Sequence, residues 1–187
     1  MSQTHYFIAV PIDSKVKEKI FNWNEREKPP FKRLVHKQDY HITLVFLGGI
    51  GESLLKELQK ELNKVVTIHA AFTLTIDELG IFGPQNRPRI FWAGVKKEEK
   101  LFELQKAIFQ TCTDLGVEVD KRSYNPHITL ARKYSGDDPY VSDHRNASFQ
   151  SYMESETWQV SNIVIYRTNL DKVPKYEVVA SFPLKSS

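Results

Sequence analysis

The tetrapeptide His-Ile-Thr-Leu occurs twice in this chain of 187 residues, at positions 41–44 and 127–130. Chance rarely produces such a repeat in a chain this short. Each copy lies in a short apolar run that is rich in β-branched residues, over residues 40–47 and 126–131, and such runs are typical of β-strands. The two copies therefore predict two similar strands, each with a polar and an apolar face.

The geometry of a strand puts the histidine and the threonine of each copy on the same face. Successive side chains of a strand point to opposite faces, so His41 should lie beside Thr43, and His127 beside Thr129. The aliphatic members of the two motifs should point the other way and anchor the strands in a core; they are Ile42, Leu44, Ile128 and Leu130. The rest of the chain is then a scaffold that brings two polar faces together.

Two imidazoles and two hydroxyls around one small volume are suited to acid–base chemistry on a phosphodiester. The ordinary pKa of histidine is about 6.5, so near neutral pH one imidazole can be neutral while the other carries a proton. A general base and a general acid each contribute typically about 10²- to 10⁴-fold to a rate. The threonine hydroxyls are short, neutral donors for the non-bridging phosphate oxygens. For a strained cyclic phosphate this equipment is sufficient, whereas it is weaker for an unstrained diester.

The sequence gives little support to other kinds of catalytic site. Catalytic zinc needs three protein ligands, and neither motif has the His-x-His or His-Glu-x-x-His spacing that supplies them. There is no Gly-x-Ser-x-Gly elbow, Walker loop or dinucleotide fingerprint. We expect neither a metal nor a cofactor, and we interpret the other histidines as surface or packing residues: His5, His36, His69 and His144.

Composition predicts an ordinary globular protein. The chain is 41% hydrophobic and 26% charged, and its net charge of +3 permits an anionic ligand without indicating one. No apolar run of about 18 residues and no signal peptide is visible, so we expect a cytoplasmic protein that does not enter a membrane. The single cysteine, Cys112, lies in a helical pattern and is interpreted as core packing. We further expect a monomer.

Helical and strand patterns alternate without a strict βαβα rhythm, which favours the α+β class. We predict three helices, one that begins at Asp13 or Ser14 and two over residues 51–66 and 98–115, and loops over 80–88 and 134–146. Besides the motif strands, we predict strands over residues 5–12, 32–35, 67–77, 89–95, 157–166 and 176–182. The expected architecture is a single domain over residues 1–187, made of two lobes. Two antiparallel-rich sheets with pseudo-two-fold symmetry would surround a central cleft, with helices on the outer faces.

The motifs resemble those of the two-histidine phosphoesterases. The first copy lies in His-Ile-Thr-Leu-Val-Phe-Leu-Gly and the second in Pro-His-Ile-Thr-Leu-Ala-Arg. The chain is similar in particular to the bacterial and archaeal RNA 2′,3′-cyclic phosphodiesterases, also called 2′-5′ RNA ligases or LigT-like proteins. The similarity extends to residues 6–10, to the strand over 89–95 and to the closing hairpin, and so covers nearly the whole chain.

This resemblance implies a substrate and a set of roles. The implied reaction opens a ribose 2′,3′-cyclic phosphate at an RNA end to a 2′-phosphate without metal, and the reverse 2′-5′ ligation would use the same site. The partner would be such an RNA or a related nucleotide. The implied roles are proton donation to the leaving 3′ oxygen by His41, activation of water by His127, phosphate binding by Thr43, Thr129 and Arg132, and stacking on a base by Phe46.

Strict alternation conflicts with two of these roles. It places Arg132 on the face opposite His127, unless the strand bends or bulges after Leu130. The same objection applies to Phe46 in relation to His41. Regular alternation would instead choose Lys133 as the phosphate ligand. The neighbouring aromatic residues Phe91, Trp92 and Tyr124 are interpreted as packing residues rather than as platforms for a base.

Two function classes remain open at this stage. One is the phosphodiesterase, and the other is a non-catalytic protein that binds RNA ends or a 2′-phosphorylated nucleotide. Intact histidines in both motifs favour the enzyme, because arginine or lysine would suffice for binding phosphate. Within the enzyme class, the substrate could also be a 2′-5′ linked oligonucleotide or a small cyclic-phosphate metabolite.

Overall fold

The computed structural model describes residues 3–141 and 143–186, which contain four α-helices, one 3₁₀ helix and nine β-strands. The α-helices are α1 (Ser14–Glu27), α2 (Glu52–Val66), α3 (Glu99–Asp114) and α4 (Asp143–Tyr152). The strands are β1 (Tyr6–Pro11), β2 (Phe31–Leu34), β3 (His41–Gly48), β4 (Phe72–Phe82), β5 (Ile90–Val95), β6 (Ile128–Tyr134), β7 (Thr157–Val160), β8 (Asn162–Thr168) and β9 (Tyr176–Pro183). The 3₁₀ helix, Lys37–Asp39, leads into β3.

All of these strands belong to one antiparallel hydrogen-bonded path in the order β7-β4-β5-β6-β3-β1-β8-β9, with β2 paired to β6. The two motif strands, β3 and β6, are neighbours at its centre, and each is the innermost of four strands. They are joined through one registered pair, Ile42 with Ile128. The prediction of an α+β fold with antiparallel strands is therefore confirmed. The predicted two sheets correspond to two halves of one path, while the pseudo-two-fold symmetry and the central cleft remain predictions.

The path curls back on itself. Only Ser161 separates β7 from β8, although β7 ends the path on one side and β8 is next to last on the other. The amide of Leu184, just after β9, also donates to the carbonyl oxygen of Ser161 at 2.9 Å. Because covalent neighbours lie at distant positions of the path, the two ends of the sheet must approach each other.

Local sequence explains how the first helix forms. The side chain of Asp13 accepts a hydrogen bond from the amide of Lys15 and caps the first turn of α1. The apolar face of α1 then buries Val16, Ile20 and Trp23 at helical spacing, as predicted. The helix ends where Lys28 adopts a left-handed conformation, with φ 45°.

The main core lies on one face of the motif strands. The four aliphatic motif residues are at most 3% exposed, as the alternation predicted: Ile42, Leu44, Ile128 and Leu130. All four belong to one continuous apolar cluster that also takes buried residues from each of α1, α2 and α3. Burial of these side chains fixes which face of each motif strand is left for chemistry.

Three predicted element boundaries are wrong. The strand predicted over 67–77 starts only at Phe72, because Thr67 keeps a helical conformation as the C-cap of α2 and its hydroxyl donates to the carbonyl oxygen of Asn63. The same strand continues to Phe82, two residues into the predicted loop over 80–88, and it ends at Gly83, where φ is 101°. The strand predicted over 157–166 is divided into β7 and β8.

Helix α4 is also a correction, because its first residues fall in the predicted loop over 134–146. Its sequence is almost entirely polar, and Phe149 is its only fully buried residue among those whose side chains the structure describes. Phe149 packs edge-to-face against Trp23 at 5.0 Å, so tertiary contact rather than a sequence pattern stabilises this helix. Within the described ranges, no helix has both the length and the apolar character that crossing a membrane requires.

Candidate active site

The four polar motif side chains lie on one face of the sheet, which we call the histidine face. Because β3 and β6 run antiparallel around Ile42 and Ile128, the register brings His41 towards Thr129 and His127 towards Thr43. The two imidazoles are close enough that charge on His127 lowers the pKa of His41. The structure thus brings the two motifs together.

Each imidazole is fixed by the same local hydrogen bond. Nδ1 of His41 lies 2.7 Å from the carbonyl oxygen of Asp39, and Nδ1 of His127 lies 2.8 Å from that of Asn125, in both cases two residues upstream. A carbonyl oxygen only accepts hydrogen bonds, so Nδ1 carries the proton in both rings. Each neutral imidazole therefore presents Nε2 as its basic nitrogen.

The first motif contains one further bond that the second lacks among the described residues. Nε2 of His41 lies 3.0 Å from the hydroxyl oxygen of Thr43, and because this nitrogen is unprotonated, the hydroxyl donates. The phenol of Tyr124 donates to the backbone oxygen of Thr43 at 2.9 Å. Tyr124 is therefore a support for β3, in line with its predicted packing role.

Aromatic rings surround His41. Phe7 on β1 lies 4.8 Å from the imidazole, and Tyr176 on β9 contacts it edge-on at 5.1 Å. Phe7 and Tyr166 are buried in a small second core that lies on the histidine face, and Tyr176 packs against this core. The imidazole thus has an apolar wall that excludes water from one side.

His127 has a corresponding wall on the other half of the path. Phe82 on β4 meets its ring edge-on at 4.8 Å, and Trp92 on β5 lies at 6.0 Å. The indole ring of Trp92 lies across Gly80, its cross-strand partner, where any Cβ atom would overlap it. Glycine at this position is what allows the indole of Trp92 to occupy this space beside His127.

A β-bulge in β3 brings Phe46 to the histidine face. Ile8 of β1 pairs with Val45, whereas the next residue, Ala9, pairs with Thr43, so Leu44 is an extra residue in β3. Leu44 and Val45 are accordingly both buried, and Phe46 is 61% exposed. The objection from strict alternation to Phe46 is therefore removed.

Strand β6 has a bulge at the same motif position. Trp92 of β5 pairs with Thr129 and Phe91 with Ala131, so Leu130 is the extra residue. Leu130 and Ala131 are both fully buried, and the next residue, Arg132, is exposed. The positive charge of Arg132 lowers the pKa of His127, in agreement with a location on the histidine face.

Lys133, the residue that regular alternation would choose, is displaced by this bulge. Its backbone adopts a left-handed conformation with φ 62°, and its amide donates to the carbonyl oxygen of Arg89 at 2.9 Å. Because of the bulge, Arg132 rather than Lys133 lies on the same face as His127. The interpretation from alternation alone was wrong on this point.

Burial controls the protonation of both imidazoles. It lowers the pKa of His41 to about 4 from an ordinary value of 6.5, although the hydrogen bond to the carbonyl oxygen of Asp39 and the Asp39 charge oppose this effect. Burial also lowers the pKa of His127, the backbone bond to Asn125 opposes it, and the Arg132 charge lowers it further. Without a bound anion both rings are thus neutral near neutral pH, whereas the sequence analysis expected one neutral and one protonated imidazole.

Asp39 connects the first motif to the hairpin formed by β8 and β9. Its side chain is 5% exposed and accepts hydrogen bonds from the amides of Lys175 and Tyr176, at 3.1 and 3.2 Å. Its backbone oxygen holds Nδ1 of His41, while Tyr176 packs against the same imidazole. One residue therefore positions both the histidine and part of its aromatic wall.

Sequence reasoning missed most of the residues that contact the histidines. Asp39 adjoins the first motif but has no spacing signal of its own, while Phe7 and Tyr176 reach His41 only through the strand order β3-β1-β8-β9. Phe82 falls within the loop predicted over residues 80–88, but it is the last residue of β4. Over residues 3–141 and 143–186, no group of three or more His, Cys, Asp or Glu side chains is arranged to hold a metal ion.

Curated relatives resemble the chain along nearly its full length. A protein of Geobacillus stearothermophilus named RNA 2′,3′-cyclic phosphodiesterase is 42% identical over 187 residues, covering 98% of this chain and 58% of the relative. This chain thus spans little more than half the length of that protein. A Bacillus subtilis protein with the same name is 32% identical over 185 residues, with 96% of both chains covered.

Solved structures share the fold. A crystal structure of a phosphoesterase matches with a TM-score of 0.80 at 22% identity, over 98% of this chain and 99% of the other. E. coli LigT complexed with 3′-AMP matches with a TM-score of 0.79, also at 22% identity, over 97% and 98%. At this level of identity the similarity establishes the fold alone.

Fold and site together define a class of proteins in which two antiparallel-strand motifs present paired imidazoles on one face of a sheet. The family model described as the 2′-5′ RNA ligase superfamily matches residues 14–172, a range that contains both motifs. The chain belongs to this superfamily, and the resemblance inferred from the motifs is confirmed.

Proposed function

We propose that the protein is an RNA 2′,3′-cyclic phosphodiesterase that converts cyclic phosphate ends to 2′-phosphate ends. The observation that carries this proposal is the pair of imidazoles on one face, each with Nδ1 tied to a carbonyl oxygen and Nε2 available for proton transfer. The names of the Geobacillus and Bacillus relatives agree with it. Reversible 2′-5′ ligation would use the same groups in the opposite direction.

The reaction requires two proton transfers. Nε2 of His127 takes a proton from water as the water oxygen bonds to phosphorus, and the bond from phosphorus to the ribose 3′ oxygen breaks. Protonated His41 gives its Nε2 proton to that leaving oxygen. The product retains the phosphate on the 2′ oxygen, and proton exchange with solvent restores both imidazoles.

Local charges support this division of roles. The positive charge of Arg132 disfavours a second positive charge on His127, which suits a base that must be neutral. The negative charge of Asp39 favours the protonated form of His41, which suits an acid. Because burial outweighs the effect of Asp39 and the pKa of His41 is still only about 4, the remaining stabilisation of the imidazolium must come from the anionic substrate.

The threonines and the residues beyond the bulges would hold the substrate. When His41 is protonated, its Nε2 becomes a donor, so the hydroxyl of Thr43 is released to donate to a phosphate oxygen. Thr129 would do the same from the other strand, and the guanidinium of Arg132 would bind the remaining charge. The exposed ring of Phe46 offers a stacking surface for the terminal base.

The test is incubation with a short RNA that ends in a 2′,3′-cyclic phosphate, in excess EDTA, with products identified by ³¹P NMR. We expect a 2′-phosphate from the native protein, and a rate lower by about 10²- to 10⁴-fold in His41→Ala and in His127→Ala. The matched control is His5→Ala, because His5 is exposed and lies outside the site. Near-native turnover in either motif variant would exclude the two-histidine mechanism.

A second outcome of the same experiment concerns the alternative function. RNA that binds without conversion, with or without EDTA, would favour a protein that binds RNA ends. Conversion that EDTA abolishes would instead indicate a metal requirement. We also propose that the protein is a single two-lobed domain, a monomer and cytoplasmic. Size-exclusion chromatography tests whether it is a monomer.

A further inference from the structure

Two arginines lie directly opposite each other at the edge of the histidine face. In the antiparallel pair of β2 and β6, Arg33 is in register with Arg132, and Ile90 of β5 is the other cross-strand neighbour of Arg132. Residues in register across two strands project from the same face. Arg33 is exposed and therefore lies beside Arg132, on the strand next to β6.

This pairing is unfavourable for the protein alone, because like charges directly opposite each other destabilise a sheet. Within the described ranges, neither guanidinium forms an ion pair, since the seven ion pairs found there involve other residues. The contrast is Arg167 on β8, whose registered partner on β9 is Glu177 and whose guanidinium bonds that carboxylate at 2.6 Å. Arg167 thus has a carboxylate as its cross-strand partner, whereas Arg33 and Arg132 face each other.

The position of β2 also points to binding rather than to packing. Among the described residues, β3 forms a registered pair with β6 only at Ile128, and β2 then pairs with the same strand from Ala131 to Tyr134. The amide of Val35, just after β2, donates to the carbonyl oxygen of Leu130 at 2.9 Å, which holds this segment against the bulge. Arg33 is therefore carried on an edge strand that is anchored next to the site.

We propose that Arg33 and Arg132 form a phosphate-binding track, in which Arg132 contacts the terminal phosphate and Arg33 contacts phosphate on the 5′ side of the terminal nucleotide. This inference rests on the proposed function for the identity of the ligand. An RNA that ends in a cyclic phosphate continues only in the 5′ direction, so any second phosphate must lie on that side. The track makes an oligonucleotide, rather than a mononucleotide, the substrate class.

Equilibrium binding tests the track without requiring turnover. The probes are a fluorescent pentanucleotide RNA that ends in a 2′-phosphate, followed by anisotropy, and adenosine 2′-monophosphate as its competitor. We expect Arg33→Gln to weaken pentanucleotide binding by about tenfold, and to leave the affinity for the mononucleotide unchanged. The slope of log affinity against log salt should fall in magnitude by about 0.7, as expected for the loss of one contact to single-stranded nucleic acid.

Two controls define the outcome. Lys60→Gln removes one positive charge from an exposed position on α2 and should change neither affinity. Arg33→Lys retains the charge and should restore most of the salt dependence. Equal losses for both ligands in Arg33→Gln, no loss for either, or an equal loss in Lys60→Gln would each overturn the track.

The proposed activity fails in a different way. If the native protein binds the pentanucleotide through Arg33 but does not open a cyclic phosphate, the track stands and the phosphodiesterase assignment does not. If the native protein turns over both classes of substrate and Arg33→Gln affects them equally, the activity stands and the track does not.

Discussion

Phe46 and Arg132 occupy the same position relative to the two His-Ile-Thr-Leu motifs. Each lies five residues after its histidine and two residues after the leucine that forms the bulge. In both strands the extra residue directs two consecutive side chains into the core and the following one to the histidine face. One backbone device thus supplies an aromatic ring on one side of the paired histidines and a cation on the other.

This equivalence predicts different defects from the two side chains. Arg132→Gln should lower kcat/KM by about tenfold or more for every terminal base, because it would remove the proposed charged contact to phosphate. Phe46→Ala should instead raise KM, because it removes a stacking interaction worth about 1–3 kcal/mol per base. The increase in KM should be larger for purines than for pyrimidines. Steady-state kinetics on cyclic phosphates of adenosine and uridine measure both effects. Phe46→Leu, which keeps the bulk without the ring, should behave like Phe46→Ala.

The pH dependence of activity should differ between kcat/KM and kcat. In the free enzyme, burial holds the pKa of His41 at about 4, so the protonated acid becomes scarce as pH rises through the weakly acidic range. A bound phosphodiester favours the imidazolium and raises this pKa. We therefore expect the alkaline limb of kcat at a higher pH than that of kcat/KM. Initial rates from about pH 3 to about pH 9 give both limbs, and coincident limbs would contradict this account.

The same burial predicts a loss of stability in acid. The pKa of His41 is about 4 in the folded protein and 6.5 as an ordinary value, so between these pH values the unfolded chain binds more protons at this position. The free energy of unfolding should therefore fall as pH drops through this window, and His41 should contribute no further loss below about 4. Urea titrations across the window measure this, and His41→Asn should lose less because its side chain does not titrate.

Asp39 should act as a positioning residue for His41. Asp39→Asn retains the size of the side chain but removes its charge and one of its two good acceptors for the amides of Lys175 and Tyr176. We expect kcat to fall by about tenfold, and the alkaline limb of kcat to move to lower pH, because the imidazolium loses a stabilising charge. A variant that is merely less stable, with an unchanged pH profile, would limit Asp39 to a structural role.

Sequence alone predicted the parts of the site that depend on local periodicity. The repeat identified both motif strands, and alternation identified which side chains enter the core, as the burial of Ile42 and Ile128 confirms. Alternation failed at Arg132 because a bulge shifts the alternation by one residue. Nothing in the sequence around Leu130 distinguishes a bulged leucine from a paired one. Two consecutive apolar residues after each threonine, Leu44-Val45 and Leu130-Ala131, were the available hint.

The aromatic walls could not be predicted from the sequence for a topological reason. Tyr176 contacts His41 although 134 residues of chain separate them, and this contact exists only because β1, β8 and β9 lie beside β3. Local patterns predicted those strands but not their order. Helix α4 was missed for a related reason, since Phe149 gains its stabilisation from Trp23 rather than from a periodic apolar face.

The small second core around Phe7 has a consequence for synthesis of the protein. It joins side chains from β1, near the start of the described chain, to Tyr166 of β8 and Tyr176 of β9, near its end. On a ribosome, the surroundings of His127 on β4 and β5 emerge well before β8 and β9. Only after residue 176 has left the exit tunnel does His41 acquire its full apolar wall, so we expect the surroundings of His41 to be the last part of the site to form.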